Sequence, residues 1–159
     1  MTESELSSCL ITGMGKRVVD QLTALALEDA SILRMCLQFA NENNTRAMKA
    51  SWLLSTYVKQ DSSFSEKYQA EVLHAARNTT IGGVRRELLK ALVGVNLSEK
   101  SLGELIDFSL LLLQDVEQDR AVRYIALKHL LLASKPYPEL QQELAQIEVY
   151  MRERTGYFP

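Results

Sequence analysis

A chain of 159 residues, 47% hydrophobic and 24% charged, is long enough to bury roughly 70% of its unfolded surface around one core, so it needs no disulfide or metal to fold. Its net charge of −2 and pI of about 5.7 exclude the overall basic footprint of a nucleic-acid binder. Two cysteines, Cys9 and Cys36, are too few for a disulfide framework or a thiolate metal site; a single bridge stays open, with reduced thiols the leading expectation.

Acidic residues stand in the N-terminal stretch where a secretory leader needs basic ones. No window reaches the ~18 apolar residues of a membrane span. The expectation is a soluble, cytoplasmic protein. Residues 1–15 are expected to be a flexible N-terminus, followed by a single helical domain over 16–154 and a tail over 155–159. Only seven Gly and three Pro interrupt the chain, which leaves long windows for helices.

Helical spacing recurs in chain order, with no alternating strand pattern. The first predicted helix covers 16–27, with Val18, Leu22, Leu25 and Ala26 on one stripe. A second covers 29–42, with Ile32, Met35, Cys36 and Phe39 inward. Thr45 is placed to cap a third, 45–59, carrying Met48, Trp52 and Leu53. Ser63 and Glu66 have capping-box spacing at the head of a fourth, which runs to 77. A fifth covers 80–94, a sixth 99–115 and a seventh 119–134, where Pro136 and Pro138 stop it. A last helix covers 138–154.

The strongest signal is a repeat. Met48, Val84 and Val122 align, with Lys49, Arg85 and Arg123 one residue on, Trp52, Leu88 and Ala126 four on, and Leu53, Leu89 and Leu127 five on. Two helices per unit at this period mark a helical-hairpin solenoid, whose units bury their apolar faces by stacking. The units fall at about 29–59, 62–94 and 99–134, with 16–27 and 138–154 as caps. The fold class expected is an all-α, right-handed α-α superhelix.

The second helices resemble those of HEAT repeats, which place a Val-Arg pair early. In order, RAMKASWLL, GGVRRELLKALVGV, GELIDF, AVRYIALKHLL and KPYPELQQEL resemble a small family of HEAT-like proteins from Bacteroidetes-type bacteria, over residues 25–150. The adenylosuccinate lyase label sometimes attached to that family finds no support here. Such lyases are several times longer and carry a Ser-rich, Met-containing loop that this chain lacks. The resemblance implies fold, and it implies that the Arg of the Val-Arg pair bonds a turn carboxylate or carbonyl. Lys49, Arg85 and Arg123 would form that ladder, with Asp61 and Asp115 or Asp119 as acceptors.

No constellation for catalysis stands out, and no cofactor or metal is expected. Thr12–Arg17, TGMGKR, fails the phosphate-loop spacing, since Leu10 stands where the first Gly belongs and Arg17 where Ser or Thr must reach a metal. His74 and His129 lack a ligand partner at helical spacing. Cys36 reads as a small core hydrophobe. Glu104 and Asp107 share a face near Glu99, but read as solvated. Three Asn-x-Ser/Thr sites, at Asn43, Asn78 and Asn96, coincide with helix starts and read as caps.

Charge is unevenly spread. The second helices at 45–59, 80–94 and 119–134 sum to +7, leaving −9 for the rest. Second helices generally line the concave side of a solenoid, so a basic groove in an acidic shell is expected. The leading expectation is a non-enzymatic protein-interaction module that binds an acidic segment through Arg86, Lys90, Arg120, Arg123 and Lys128, with Tyr124 as a contact. The alternative is phosphate-backbone binding of nucleic acid, for which interleaved aromatics are few. A homodimer through an end helix is a further expectation.

Overall fold

The computed structural model describes residues 1–13 and 15–159. Ten helices stand among these residues and no strand: α1 (Glu3–Thr12), α2 (Lys16–Glu28), α3 (Ser31–Ala40), α4 (Thr45–Tyr57), α5 (Ser63–Lys67), α6 (Gln69–Asn78), α7 (Gly82–Lys90), α8 (Glu99–Gln114), α9 (Arg120–Ser134) and α10 (Pro138–Thr155). They group into two compact units, Met1–Asn96 and Leu97–Pro159.

In the first unit, α3 with α4 and α6 with α7 form two helical hairpins. α3 packs on α6 and α4 on α7, so matching helices of the two hairpins lie side by side, while α1 and α2 cover α4. The hairpins carry buried faces that include Cys36, Phe39, Ala50, Val72 and Ala76; of the aligned positions Leu53, Val84, Leu88 and Leu89 are buried, while Met48 and Trp52 are half-buried. Gly83 permits the close approach of α7 to α4, because a Cβ there would stand 2.8 Å from Met48 Sδ. In the second unit, α8 and α9 form the third hairpin and α10 packs on α9. Leu113, Leu127, Leu130, Leu140, Leu144, Ile147 and Met151 make its core, with Phe158 packed against it.

The N-terminus departs from expectation. Residues 3–12, expected to be a flexible segment, form α1, held by a reciprocal capping box between Thr2 and Glu5. Leu6 and Leu10, four residues apart and so on one face, are fully buried. Two apolar contacts in ten residues are too sparse a stripe to read from sequence. Other differences are local. Leu25 is exposed and Val19 takes its place in the stripe. Asn44, not Thr45, caps α4 by accepting from Ala47 N–H at 3.1 Å. The expected Ser63–Glu66 box does not form, because Asp61 takes the Ser63 N–H at 2.8 Å and Glu66 bonds Ser62 instead. The fourth predicted helix is split at Tyr68 (φ −112°, ψ 25°) into α5 and α6. Ser98 caps α8 as its position implies, accepting from Ser101 N–H at 3.2 Å. Met14, part of the TGMGKR stretch, lies outside the described residues; Lys16 from the same stretch pairs with Asp20 at 2.6 Å.

Leu10→Ala should lower unfolding free energy by about 2–5 kcal/mol, the cost of a cavity at a fully buried leucine. Urea denaturation checks this. A flexible N-terminus would give no change.

Candidate functional site

The aligned cations one residue after Met48, Val84 and Val122 share one task. A helix C-terminus leaves its last carbonyls without intrahelical donors. Arg85 answers this for α6, donating Nε to Ala76 O at 3.1 Å and Nη2 to Thr79 O at 2.5 Å. Arg123 does so for α8, donating Nε to Leu113 O at 3.1 Å. Lys49 reaches Ile11 O near the end of α1 at 3.2 Å. The ladder acceptors are therefore carbonyls, not Asp61, Asp115 or Asp119. The physical reason is competition within the turns. Asp61 accepts from Ser63 N–H and the Tyr57 hydroxyl, which together hold its carboxyl below the usual range despite some burial. Asp115 accepts from Glu117 N–H at 3.0 Å.

The remaining cations of α4, α7 and α9 are also engaged, with one exception among the described residues. Arg46 lies over the Phe39 ring at 4.0 Å, pairs with Glu42 and donates to Ser7. Arg86 and Lys90 converge on Glu87, at 3.1 Å and 2.9 Å. Arg120 stacks on the Tyr157 ring at 4.5 Å, and Arg123 faces the same ring at 5.5 Å. Lys128 is exposed and makes no such contact among the described residues. Tyr124, 57% exposed, stands four residues before it, and Arg120 four before that. Arg120, Tyr124 and Lys128 thus form one stripe on α9, continued by the exposed Leu131 and Lys135.

Glu87 is the residue that sequence reasoning missed. It is only 3% exposed and accepts from the Ser55 hydroxyl of α4 at 2.5 Å, tying α7 to α4. Burial pushes its carboxyl up, but the Ser55 and Lys90 hydrogen bonds, the Lys90 charge and Arg86 outweigh that and leave it below the usual carboxylate value. The repeat held the signal: Glu87 stands three residues after Val84, where Ser51 follows Met48 and Ile125 follows Val122, and both of those are buried. Tyr157 was missed as well, since nothing in TGYFP marks where its ring docks.

A model of the HEAT repeat domain matches residues 6–156. The chain belongs to the HEAT repeat family. Comparisons with curated proteins and with solved structures each found no match. The HEAT repeat assignment fits the stacked hairpins of the first unit and the carbonyl-capping cations of both. HEAT repeat domains typically serve as scaffolds for protein interaction rather than as enzymes.

Burial pushes the Cys36 thiol up to about 12, which leaves it without thiolate at neutral pH. His74 is exposed and bonds Asn78 at 2.7 Å, while His129 is buried in α9. Glu99 and Asp107 are exposed and Glu104 half-buried. Among the described residues no group of three or more His, Cys, Asp or Glu could hold a metal, and no helix is long and apolar enough to cross a membrane.

Glu87 yields a pH-dependent prediction. A carboxyl whose folded pKa is depressed stabilises the fold above its unfolded value, and that contribution is lost as pH falls through the folded value. Relative to wild type, Glu87→Gln should cost about 1–3 kcal/mol at pH 7, from a weakened buried hydrogen-bond and charge network. The difference should shrink below the ordinary carboxylate value of 4.5. Urea midpoints of both proteins at pH 7 and at pH 3 measure it.

Proposed function

We propose that this HEAT repeat protein is a non-enzymatic interaction module that binds an acidic protein segment along the exposed face of α9. The observation that carries the reading is the Arg120–Tyr124–Lys128 stripe, where exposed cations flank an exposed aromatic ring on one rigid helix. A partner carboxylate meets Lys128 without first breaking an internal ion pair, and Tyr124 offers apolar area with little rotamer entropy to lose. Leu131, 53% exposed, extends the stripe toward Lys135 and suits an acidic segment that carries apolar residues. Arg86 and Lys90, the other candidates, bring less net charge to a ligand because both are turned on Glu87. Arg85 and Lys49 act as carbonyl caps, and their loss would act on the fold first.

Nucleic acid is the competing ligand class. Its phosphates require several free cations to release counterions, and the eight cations of α4, α7 and α9 are mostly committed within the protein.

Binding is read by fluorescence anisotropy with a labelled peptide of mixed Asp, Glu and Phe. Lys128→Glu and Tyr124→Ala should each weaken it by about threefold to tenfold, the scale of a peripheral charge and of an aromatic contact. Both substitutions lie on the surface, so thermal stability should stay near that of wild type. Peptide binding unchanged in both variants would contradict the proposal. So would tighter, steeply salt-dependent binding to a DNA or RNA duplex.

A further inference from the structure

Arg123 is 4% exposed, and its Nη2 has no hydrogen-bond acceptor among the described residues. An unpaired donor of a buried guanidinium is costly, and the groups facing it are unusual. After α10 the chain turns at Gly156, whose φ of +68° lies in the left-handed region that favours glycine. The turn, fixed by Gly156 N–H on Arg152 O at 2.9 Å, delivers the Tyr157 ring to Arg120 and Arg123 together. Phe158 anchors beside it, against the α8–α10 core and 5.8 Å from the Arg152 guanidinium.

Resting on the reading of α9 as a surface for acidic segments, the geometry points to Arg120 and Arg123 as a recognition pocket for an aromatic residue next to a carboxylate. The chain's own Tyr157 occupies that pocket as an internal competitor. Tyr157 supplies the ring but leaves Arg123 Nη2 without an acceptor. A partner segment with an aromatic ring followed by Asp or Glu would supply both, the ring over the guanidiniums and a carboxylate oxygen for Nη2. Arg120 belongs at once to the pocket and to the exposed stripe, so a segment lying along Tyr124 and Lys128 reaches the pocket at its end. Binding then requires Tyr157 to leave, and apparent affinity is lowered by the fraction of molecules in which the ring is docked.

The test uses the full chain and the labelled peptide of Asp, Glu and Phe, with a second peptide in which Phe is replaced by Ala. Tyr157→Ala should bind the Phe peptide about threefold to tenfold more tightly than wild type, the range expected from removing a competing cation–π contact. Tyr157→Phe should behave as wild type, and the Ala peptide should gain little from either substitution. In wild type, where folding is not in question, NMR should show the Tyr157 ring resonances moving toward free-tyrosine positions as the Phe peptide saturates. Binding by wild type that neither tightens in Tyr157→Ala nor moves the ring overturns this inference and leaves the α9 surface standing. Failure of both proteins to bind either peptide overturns the two together.

Discussion

Carbonyl groups left open at the end of a helix are the constraint around which this molecule is organised. The α6–α7 and α8–α9 turns bring the last carbonyls of the first helix against the second, where water has limited access. An unsatisfied buried carbonyl costs more than a typical hydrogen bond contributes. Arg85 and Arg123 meet that cost from the first turn of α7 and α9, each one residue after a buried valine that fixes the helix face. Position and charge are thus set together: the valine packs inward, and the next residue swings toward the helix just completed. Lys49 does the same for α1, an N-terminal helix whose two buried leucines pack it beside α4.

The same economy reorders the electrostatics. Formal charge on the second helices is strongly positive, yet most of it is turned on the protein's own carbonyls, on Glu87 or on aromatic rings. What faces solvent on α9 is a narrow stripe, with Lys128 and Tyr124 at its centre. A narrow stripe suits a short acidic segment better than a polyanion, because affinity for a polyanion grows with the number of phosphates neutralised. Glu87 shows how a buried charge is tolerated in the stack. Its carboxylate bridges α4 and α7 through Ser55 and is compensated by two cations of its own helix.

Much of this was legible in the sequence. The alignment of Met48, Val84 and Val122 gave the hairpins, their second helices and the ladder positions, because helix period and repeat period are both carried by side-chain type. Helix ends were read less well. Asn44 replaced Thr45 as a cap, and Ser63 lost its role to Asp61, since neighbouring polar side chains in a turn compete for the same N–H groups within about 3 Å. α1 was missed because its stability comes from two buried leucines and a box at its first turn, with no continuous stripe. The site was legible as a set of cations but not as a set of available cations. Whether a guanidinium faces solvent, a carbonyl or a ring depends on contacts between segments far apart in the chain, as Arg120 and Tyr157 show.

The central claim is that the aligned arginines hold the fold as helix-end caps, Arg123 doing so through its Nε while Nη2 is left for a ligand. Equilibrium urea unfolding of Arg85→Gln and Arg123→Gln, beside Lys128→Gln, tests it most directly. The account predicts losses of about 1–3 kcal/mol for each arginine, the scale of a charge-assisted hydrogen bond whose carbonyl is left open, and a change within about 0.5 kcal/mol for the exposed lysine. Equal, small effects at all three positions would contradict it.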